Sequence, residues 1–200
     1  MNLHPKNNRD ILKMIFDYLS SVICLILLMP VIVTLAAAIK IKGQGPVIFS
    51  QKRIGRNGKP FTLYKFRSLR NGNEEEIVLI SGREDKRITS MGRFLRKHKL
   101  DEIPNFINVL KGEMSIVGPR PEQKFYIDQI VQRDPRYKQL QAMKPGITSW
   151  GQVKYGYALN IDEMIKRMEY DLFYLENRSL LFDLKITFYT IVIILKGQGI

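Results

Sequence analysis

Residues 98–122 read HKLDEIPNFINVLKGEMSIVGPRPE. Two adjacent acids, Asp101 and Glu102, stand there in a chain whose formal net charge is +13. Arg93, Arg96, Lys97 and Lys99 precede them, and Arg120 follows between two prolines. Paired carboxylates among so many cations have two readings. In the first, Asp101 caps a helix that has Pro104 in its first turn, runs through Phe106, Val109 and Leu110, and stops at Gly112. Glu102 then complements the helix dipole.

The second reading is chemical. A helix N-terminus attracts anions, and neighbouring cations hold an aspartate ionised and therefore nucleophilic. Successive helical residues point about 100° apart, so the two carboxylates need not share one proton. One can attack while the other binds a metal or handles a proton. The turn Gly118-Pro119-Arg120-Pro121 restricts the backbone on both sides of Arg120 and presents its guanidinium as a fixed fork for phosphate. Lys65 and Arg67, at the end of an expected strand, place two further cations on one face. Each charge alone is ordinarily a solvated surface charge. Acids, phosphate-binding cations and an apolar anchor in one chain point to phosphoryl transfer at a membrane.

The bulk composition is compatible with that reading. Two hundred residues with 45% hydrophobic content suit one domain plus an appended element. The positive charge calls for an anionic partner: nucleic acid, a phosphate-bearing small molecule or an anionic membrane. Cys24 is the sole cysteine, so no intrachain disulfide forms. His4 and His98 are the only histidines, and no Cys/His spacing matches a structural zinc site.

Val22 to Ile39 carries no charge and is long enough to span a bilayer. It is longer than a typical signal-peptide core. Two readings remain, a kinked transmembrane helix and a helix that dips into the membrane and returns. Pro30 breaks the run near its middle. Lys6, Arg9 and Lys13 flank one side and Lys40, Lys42, Lys52 and Arg53 the other, so a positive-inside preference places both ends on the same face.

Downstream, Pro46 to Leu69 reads as a β-hairpin around Arg56-Asn57-Gly58-Lys59. Residues 70–90 are polar and read as a surface excursion. Helices are expected over Met91–Lys99, from beyond Pro121 toward Arg133, and over Asn160–Glu176 with Asn160 as cap. Leu180 to Gly197 is apolar apart from Asp183 and Lys185, which suits a helix lying in the interface or packed on the domain. KGQG occurs at 42–45 and 196–199, each time after an apolar helix-like run, and reads as a stop signal repeated by coincidence.

Four segments carry a resemblance: KFRSL (65–69), LDEIPNFINVLKGEMSIVGPRPE (100–122), KPGITSWGQV (144–153) and YDLFYLENRSLLFDLKI (170–186). In residues and order they resemble the bacterial sugar transferases, the monotopic phosphoglycosyl transferases, in their minimal catalytic form. The resemblance implies a helix-rich α+β fold. A membrane-embedded re-entrant helix broken at Pro30 occupies residues 1–42, and a cytosolic catalytic domain with a small β-hairpin and interfacial amphipathic helices occupies 43–200. It implies a location at the bacterial inner membrane with that domain facing the cytoplasm. It further implies that Asp101 attacks a UDP-sugar, releases UMP and passes the phosphosugar to a polyprenyl phosphate. Glu102, with Asp101, would place Mg²⁺; Lys65, Arg67, Arg96 and Arg120 would hold phosphates, and Asp183 would support the site.

The chain departs from the family pattern at four places. Met29 stands where a serine often precedes the membrane proline, Lys99 where serine often precedes Leu-Asp-Glu, and Ser149 where glycine usually follows Pro-Gly-Ile-Thr. Lys154-Tyr155-Gly156-Tyr157 replaces a Gly-Arg sequence. Two rivals stay open at this level: a membrane-tethered basic protein binding nucleic acid or anionic lipid, and a lipid diphosphate phosphohydrolase. No nucleic-acid-binding motif or Walker-type loop is present, which argues against nucleic-acid partners and NTP hydrolysis. The amphipathic surfaces leave self-association into a homo-oligomer open as well.

Overall fold

The computed structural model describes residues 8–42, 45–69 and 87–199. Two consecutive helices open the chain, α1 (Asn8–Leu27) and α2 (Met29–Lys42). They bend by 61° at Leu28. Pro30 lacks the N–H that would continue the ladder. The amides of Leu28 and Ile32 on either side keep helical bonds of 2.9 and 2.8 Å. Met29 brings no hydroxyl to the break, but Thr34 does, its Oγ1 donating to the Pro30 carbonyl at 2.8 Å. No single described helix is long and apolar enough to cross a membrane, and the bent pair passes that test only together.

The hairpin forms as its turn residues require. Strands β1 (Ile48–Ile54) and β2 (Pro60–Phe66) pair antiparallel, with Ile54 opposite Pro60. Asn57 and Gly58 take φ of 58° and 72°, the two positive values a type I′ connection needs. The Asn57 amide also donates to the Gln141 carbonyl at 2.7 Å, docking the hairpin tip on the domain.

Helix α3 (Ser90–Lys97) follows, capped by Thr89, whose hydroxyl accepts from the Gly92 amide. It stops two residues before the expected Lys99, because Lys99 itself is left-handed, at φ 51°. The surface excursion expected over 70–90 falls for 70–86 outside the described residues. Its last part is structural, since Ile88 is buried and bridges Leu69. Helix α4 (Asn105–Leu110) and the short strand β3 (Ser115–Val117) come next. Then follow α5 (Lys124–Arg133), α6 (Tyr137–Leu140), strand β4 (Gly146–Thr148), α7 (Trp150–Lys154), α8 (Ile161–Glu176) and α9 (Leu180–Leu195). Asn160 caps α8 as expected, accepting from the Glu163 amide while Glu163 returns bonds to Asn160 Nδ2 and the Leu159 amide. The outcome is a helix-rich α+β chain with two small two-stranded sheets.

The main core gathers Ile116, Ile130, Leu140, Trp150, Met168, Tyr174 and Ile186 from β3 and the helices that follow it. A second cluster decides where the acids sit. Leu35 and Ile39 of α2 pack with Phe66, Leu95 and Ile103, each the immediate neighbour of a candidate site residue: Lys65, Arg96 and Glu102 respectively. Helix α1 is tied in by polar bonds. Asp17 accepts from Ser115 Oγ at 2.6 Å and from the Ile116 amide, and Lys13 Nζ lies 2.7 Å from Asp183. Helix α9 buries Asp183 and Ile186 and exposes Leu181, Leu184, Phe188, Ile191 and Leu195 along one stripe. The 196–199 copy of KGQG ends α9 with Gly197 at φ 63° and then docks, the Gly199 amide donating to the Lys97 carbonyl at 2.9 Å.

Candidate active site

The acid pair does not start a helix. Leu100–Glu102 forms a single 3₁₀ turn preceded by left-handed Lys99, and the cap position of α4 belongs to Pro104. Asp101 therefore sits one turn upstream of any capping position, which removes the helix-cap reading. Gly112, at φ 77°, does end the helix where the sequence predicts.

Both carboxylates are buried, Asp101 at 6% and Glu102 at 7% exposure. They converge on one ammonium. Lys65 Nζ donates to Glu102 Oε1 at 2.5 Å and lies 4.0 Å from Asp101 Oδ2. The divergence expected from helical spacing does not occur, because the tight turn folds both side chains toward β2. Arg120 Nη1 stands 3.8 Å from Glu102 Oε1, and Lys99 Nζ 3.9 Å from Oε2. Lysine at position 99, a departure from the family pattern, thus adds a cation to the pair.

The electrostatics separate the two acids. Burial by itself would raise Glu102, but Lys65, Lys99 and Arg120 overcome it and hold its carboxyl far below the usual range. For Asp101 burial prevails over Lys65, and the nearby Glu102 charge adds to it, so its carboxyl lies above the usual aspartate value. The cations expected to depress Asp101 do pull on it, but only at Glu102 do they outweigh burial. Lys99 pays for its position with an ammonium lowered by burial.

Arg120 is held by the second sheet. Strands β3 and β4 run parallel with Ser115 opposite Gly146 and Val117 opposite Thr148. The Gly118 amide donates to the Thr148 carbonyl and the Gly146 amide to the Pro119 carbonyl. The backbones are so close that a Cβ on Gly118 would meet the Lys144 carbonyl oxygen at 2.3 Å. The Gly-Pro-Arg-Pro turn is thereby clamped, and Arg120 spans from Glu102 to Glu122, with its Nε 3.8 Å from Glu122 Oε1.

The remaining expected residues divide. Arg96 Nε donates to Ser68 Oγ at 2.9 Å and contributes to the field at Asp101. Arg67 follows β2, its amide bonded to the Val47 carbonyl. Asp183 takes its partners elsewhere: it accepts from Tyr174 Oη at 2.5 Å and from Lys13, knitting α9 to α8 and α1. Pro30 is the second residue of α2, two positions past the bend at Leu28.

Sequence reasoning passed over Arg53, Glu122 and Arg167. Arg167 Nη2 donates to the buried Glu122 at 2.6 Å and Arg53 Nη1 lies 3.6 Å from it. The only local signal was Glu122 closing the Pro-Arg-Pro-Glu segment; its partners come from β1 and α8. Two departures from the family pattern also find their use. Ser149 caps α7 by accepting from the Gln152 amide. Tyr157 sets its ring 5.8 Å from the Arg120 guanidinium.

Among the described residues no group of three or more His, Cys, Asp or Glu side chains could hold a metal. Glu102 Oε2 is nonetheless buried without a hydrogen bond. Such an orphaned oxygen fits a cation that takes its other ligands from substrate phosphates and water, as Mg²⁺ does.

The family description "bacterial sugar transferase" matches residues 8–197. An Aeromonas hydrophila UDP-N-acetylgalactosamine-undecaprenyl-phosphate N-acetylgalactosaminephosphotransferase is 40% identical over 99% of this chain and 47% of its own length. An Escherichia coli UDP-glucose:undecaprenyl-phosphate glucose-1-phosphate transferase is 42% identical over 90% of this chain and 39% of its own. The chain therefore spans less than half of those two curated relatives. A Bacillus subtilis protein described as an uncharacterised sugar transferase is 37% identical over 95% of this chain and 90% of its own length. With the family match covering nearly every residue, and the acid pair, the clamped arginine and the bent helix pair in place, this chain belongs to the bacterial sugar transferase family.

Proposed function

We propose that the chain transfers a sugar-1-phosphate from a UDP-sugar to a polyprenyl phosphate such as undecaprenyl phosphate, through a phosphosugar carried on Asp101. The observation that supports this most is the buried pair Asp101–Glu102 meeting one ammonium, Lys65, with Arg120 and Lys99 around it. In the first step an Asp101 oxygen bonds to the β-phosphorus, the bridging P–O bond to the α-phosphate breaks, and UMP leaves. In the second, an oxygen of the lipid phosphate bonds to that phosphorus and the Asp101–phosphorus bond breaks. The carboxylate returns and a polyprenyl diphosphate sugar is released.

A nucleophile raised by burial is poorly solvated, and so more reactive once a bound substrate's field completes its ionisation. Lys65 and Arg120 bind and orient phosphate oxygens near it. Glu102, with Asp101, is the place for Mg²⁺, which supplies charge neutralisation on the diphosphate when bound. The packing of α2 on Phe66, Leu95 and Ile103 supports a re-entrant reading of α1–α2 at the cytoplasmic leaflet of the inner membrane, with the site at the lipid surface where a polyprenyl phosphate presents its head group. The exposed stripe of α9 suits the same surface, and the product suits bacterial surface polysaccharide or glycoconjugate synthesis.

The test is UMP release by protein in lipid nanodiscs with Mg²⁺, undecaprenyl phosphate and a panel of UDP-sugars, comparing the unmodified chain with Asp101→Asn. Release with one donor, lost in the variant along with the covalent phosphosugar adduct seen by intact mass, is expected. Undiminished turnover by Asp101→Asn overturns the assignment.

A further inference from the structure

Arg120 faces two ways, and the side turned from the acid pair is unexplained by the reaction so far. There Glu122, 4% exposed, meets three guanidiniums. Arg167 holds it with a hydrogen bond of 2.6 Å, whereas Arg53 Nη1 and Arg120 Nε stand off at 3.6 and 3.8 Å. Asp171 also lies within the field of Arg167, and Glu122, already engaged by Arg167, is the carboxylate that Arg53 shares with Arg120. Arg53 Nη2 donates to Gln51 Oε1 at 2.6 Å, but its Nε is buried with no partner. Arg120 reaches its two carboxylates only at 3.8 Å. Two guanidiniums so placed repel each other, and buried donors without acceptors are costly. An anion between them relieves both. The Tyr157 ring closes one side, 5.8 Å from the Arg120 guanidinium.

We infer that Arg53 and Arg120, walled by Tyr157, form a second phosphate cradle on the Glu122 side of the site. It takes a phosphate other than the one Asp101 attacks. The inference rests on the proposed transfer reaction and extends it. Arg120 lies between the two positions, with Nη1 toward Glu102 and Nε toward Glu122, so one fork can contact two neighbouring phosphates. Planar guanidinium donors match phosphate oxygens in pairs, which lysine cannot reproduce. Glu122 and Arg167 are positioning residues, fixing the Arg53 and Arg120 forks. The phosphate belongs either to the nucleotide half of the donor or to the lipid acceptor, and the experiment separates these.

The measurement is titration calorimetry of UMP and of uridine on nanodisc-embedded protein, with KM for donor and for undecaprenyl phosphate determined in parallel. The unmodified chain, Arg53→Gln and Arg53→Lys are compared. If the donor phosphate occupies the cradle, Arg53→Gln weakens UMP at least tenfold, leaves uridine unchanged and raises donor KM. If the acceptor phosphate does, UMP is unaffected and the KM for undecaprenyl phosphate rises at least tenfold. Arg53→Lys, which keeps the charge and loses the fork, gives an intermediate effect in either case and decides the matter should Arg53→Gln fold poorly. Wild-type binding and both KM values retained in the two variants overturn the cradle and leave the transferase reading standing. An unmodified chain that binds neither UMP nor undecaprenyl phosphate overturns both.

Discussion

Replacing Lys65 by methionine deletes the ammonium on which Asp101 and Glu102 converge while keeping an unbranched chain of similar length. Glu102 Oε1 loses its 2.5 Å hydrogen bond, and Oε2 already has none. Lys99 and Arg120 remain at 3.9 and 3.8 Å, close enough to attract but not to bond. Breaking a buried ion pair costs about 3–5 kcal/mol. Lys65 keeps 20% of its side chain exposed and two cations remain, so the lower end, about 3 kcal/mol, is expected. For a chain of this size that is a fall of about 6–12 °C in Tm. The sign with pH follows from Glu102, whose folded-state carboxyl is held below its unfolded value. Its stabilisation is fully present above the unfolded value, about pH 4.3, and is lost as the pH falls toward the folded one. The gap between wild type and Lys65→Met is therefore full at pH 7 and narrows in acid below about pH 4. UMP release should fall by about 10²–10³, the usual effect of removing one preorganised donor to a transferring group. Thermal unfolding in nanodiscs and single-donor turnover give the two readouts. Adding Glu102→Gln should restore most of the lost stability, by removing the uncompensated charge, without restoring turnover. A Tm loss under about 2 °C for the single variant, or a double variant no more stable than it, refutes the shared-ammonium account.

Asp171, 3% exposed, accepts from the Gly151 amide at 2.8 Å, yet burial lifts its carboxyl to about 6. The native state then holds a proton that the unfolded chain releases near pH 4, so this group lowers stability as the pH rises from about 4 to 6. Asp171→Asn keeps an acceptor for the amide and should flatten the stability profile over that window; an unchanged slope by chemical denaturation sinks the claim. At Gly92 a Cβ would stand 1.9 Å from the Ser68 carbonyl oxygen, a backbone atom that cannot swing aside. Gly92→Ala should cost about 1–3 kcal/mol by forcing α3 off the end of β2, read as a lower Tm. It should also reduce turnover, because Arg96 rides on α3 and bonds Ser68.

What the chain fixes locally could be read from its letters. Asn57-Gly58 accepts the two positive φ values of the hairpin turn, and Asn160 with Glu163 writes the start of α8. Pro30 breaks the apolar run because it has no N–H to give, and Gly112 ends α4 in the left-handed region. The acids and Arg120 stood out as candidate chemistry for the same reason: adjacency and a clamp of prolines are properties of a few residues.

Only the tertiary structure decided how those groups meet. Helical geometry alone would splay Asp101 and Glu102, but left-handed Lys99 and the 3₁₀ turn fold both onto β2. Asp183 accepts from Lys13, 170 positions away, a pairing that no local stretch of sequence shows. Arg53 and Arg167 reach Glu122 from β1 and α8, so no local window contains their cluster. The division of labour between the acids is likewise a property of the assembled site. Desolvation depends on everything packed around a carboxyl, and it raises Asp101, while Glu102 is pulled down only because three cations, from β2, from the residue before the 3₁₀ turn and from the Gly-Pro-Arg-Pro loop, arrive at the same place.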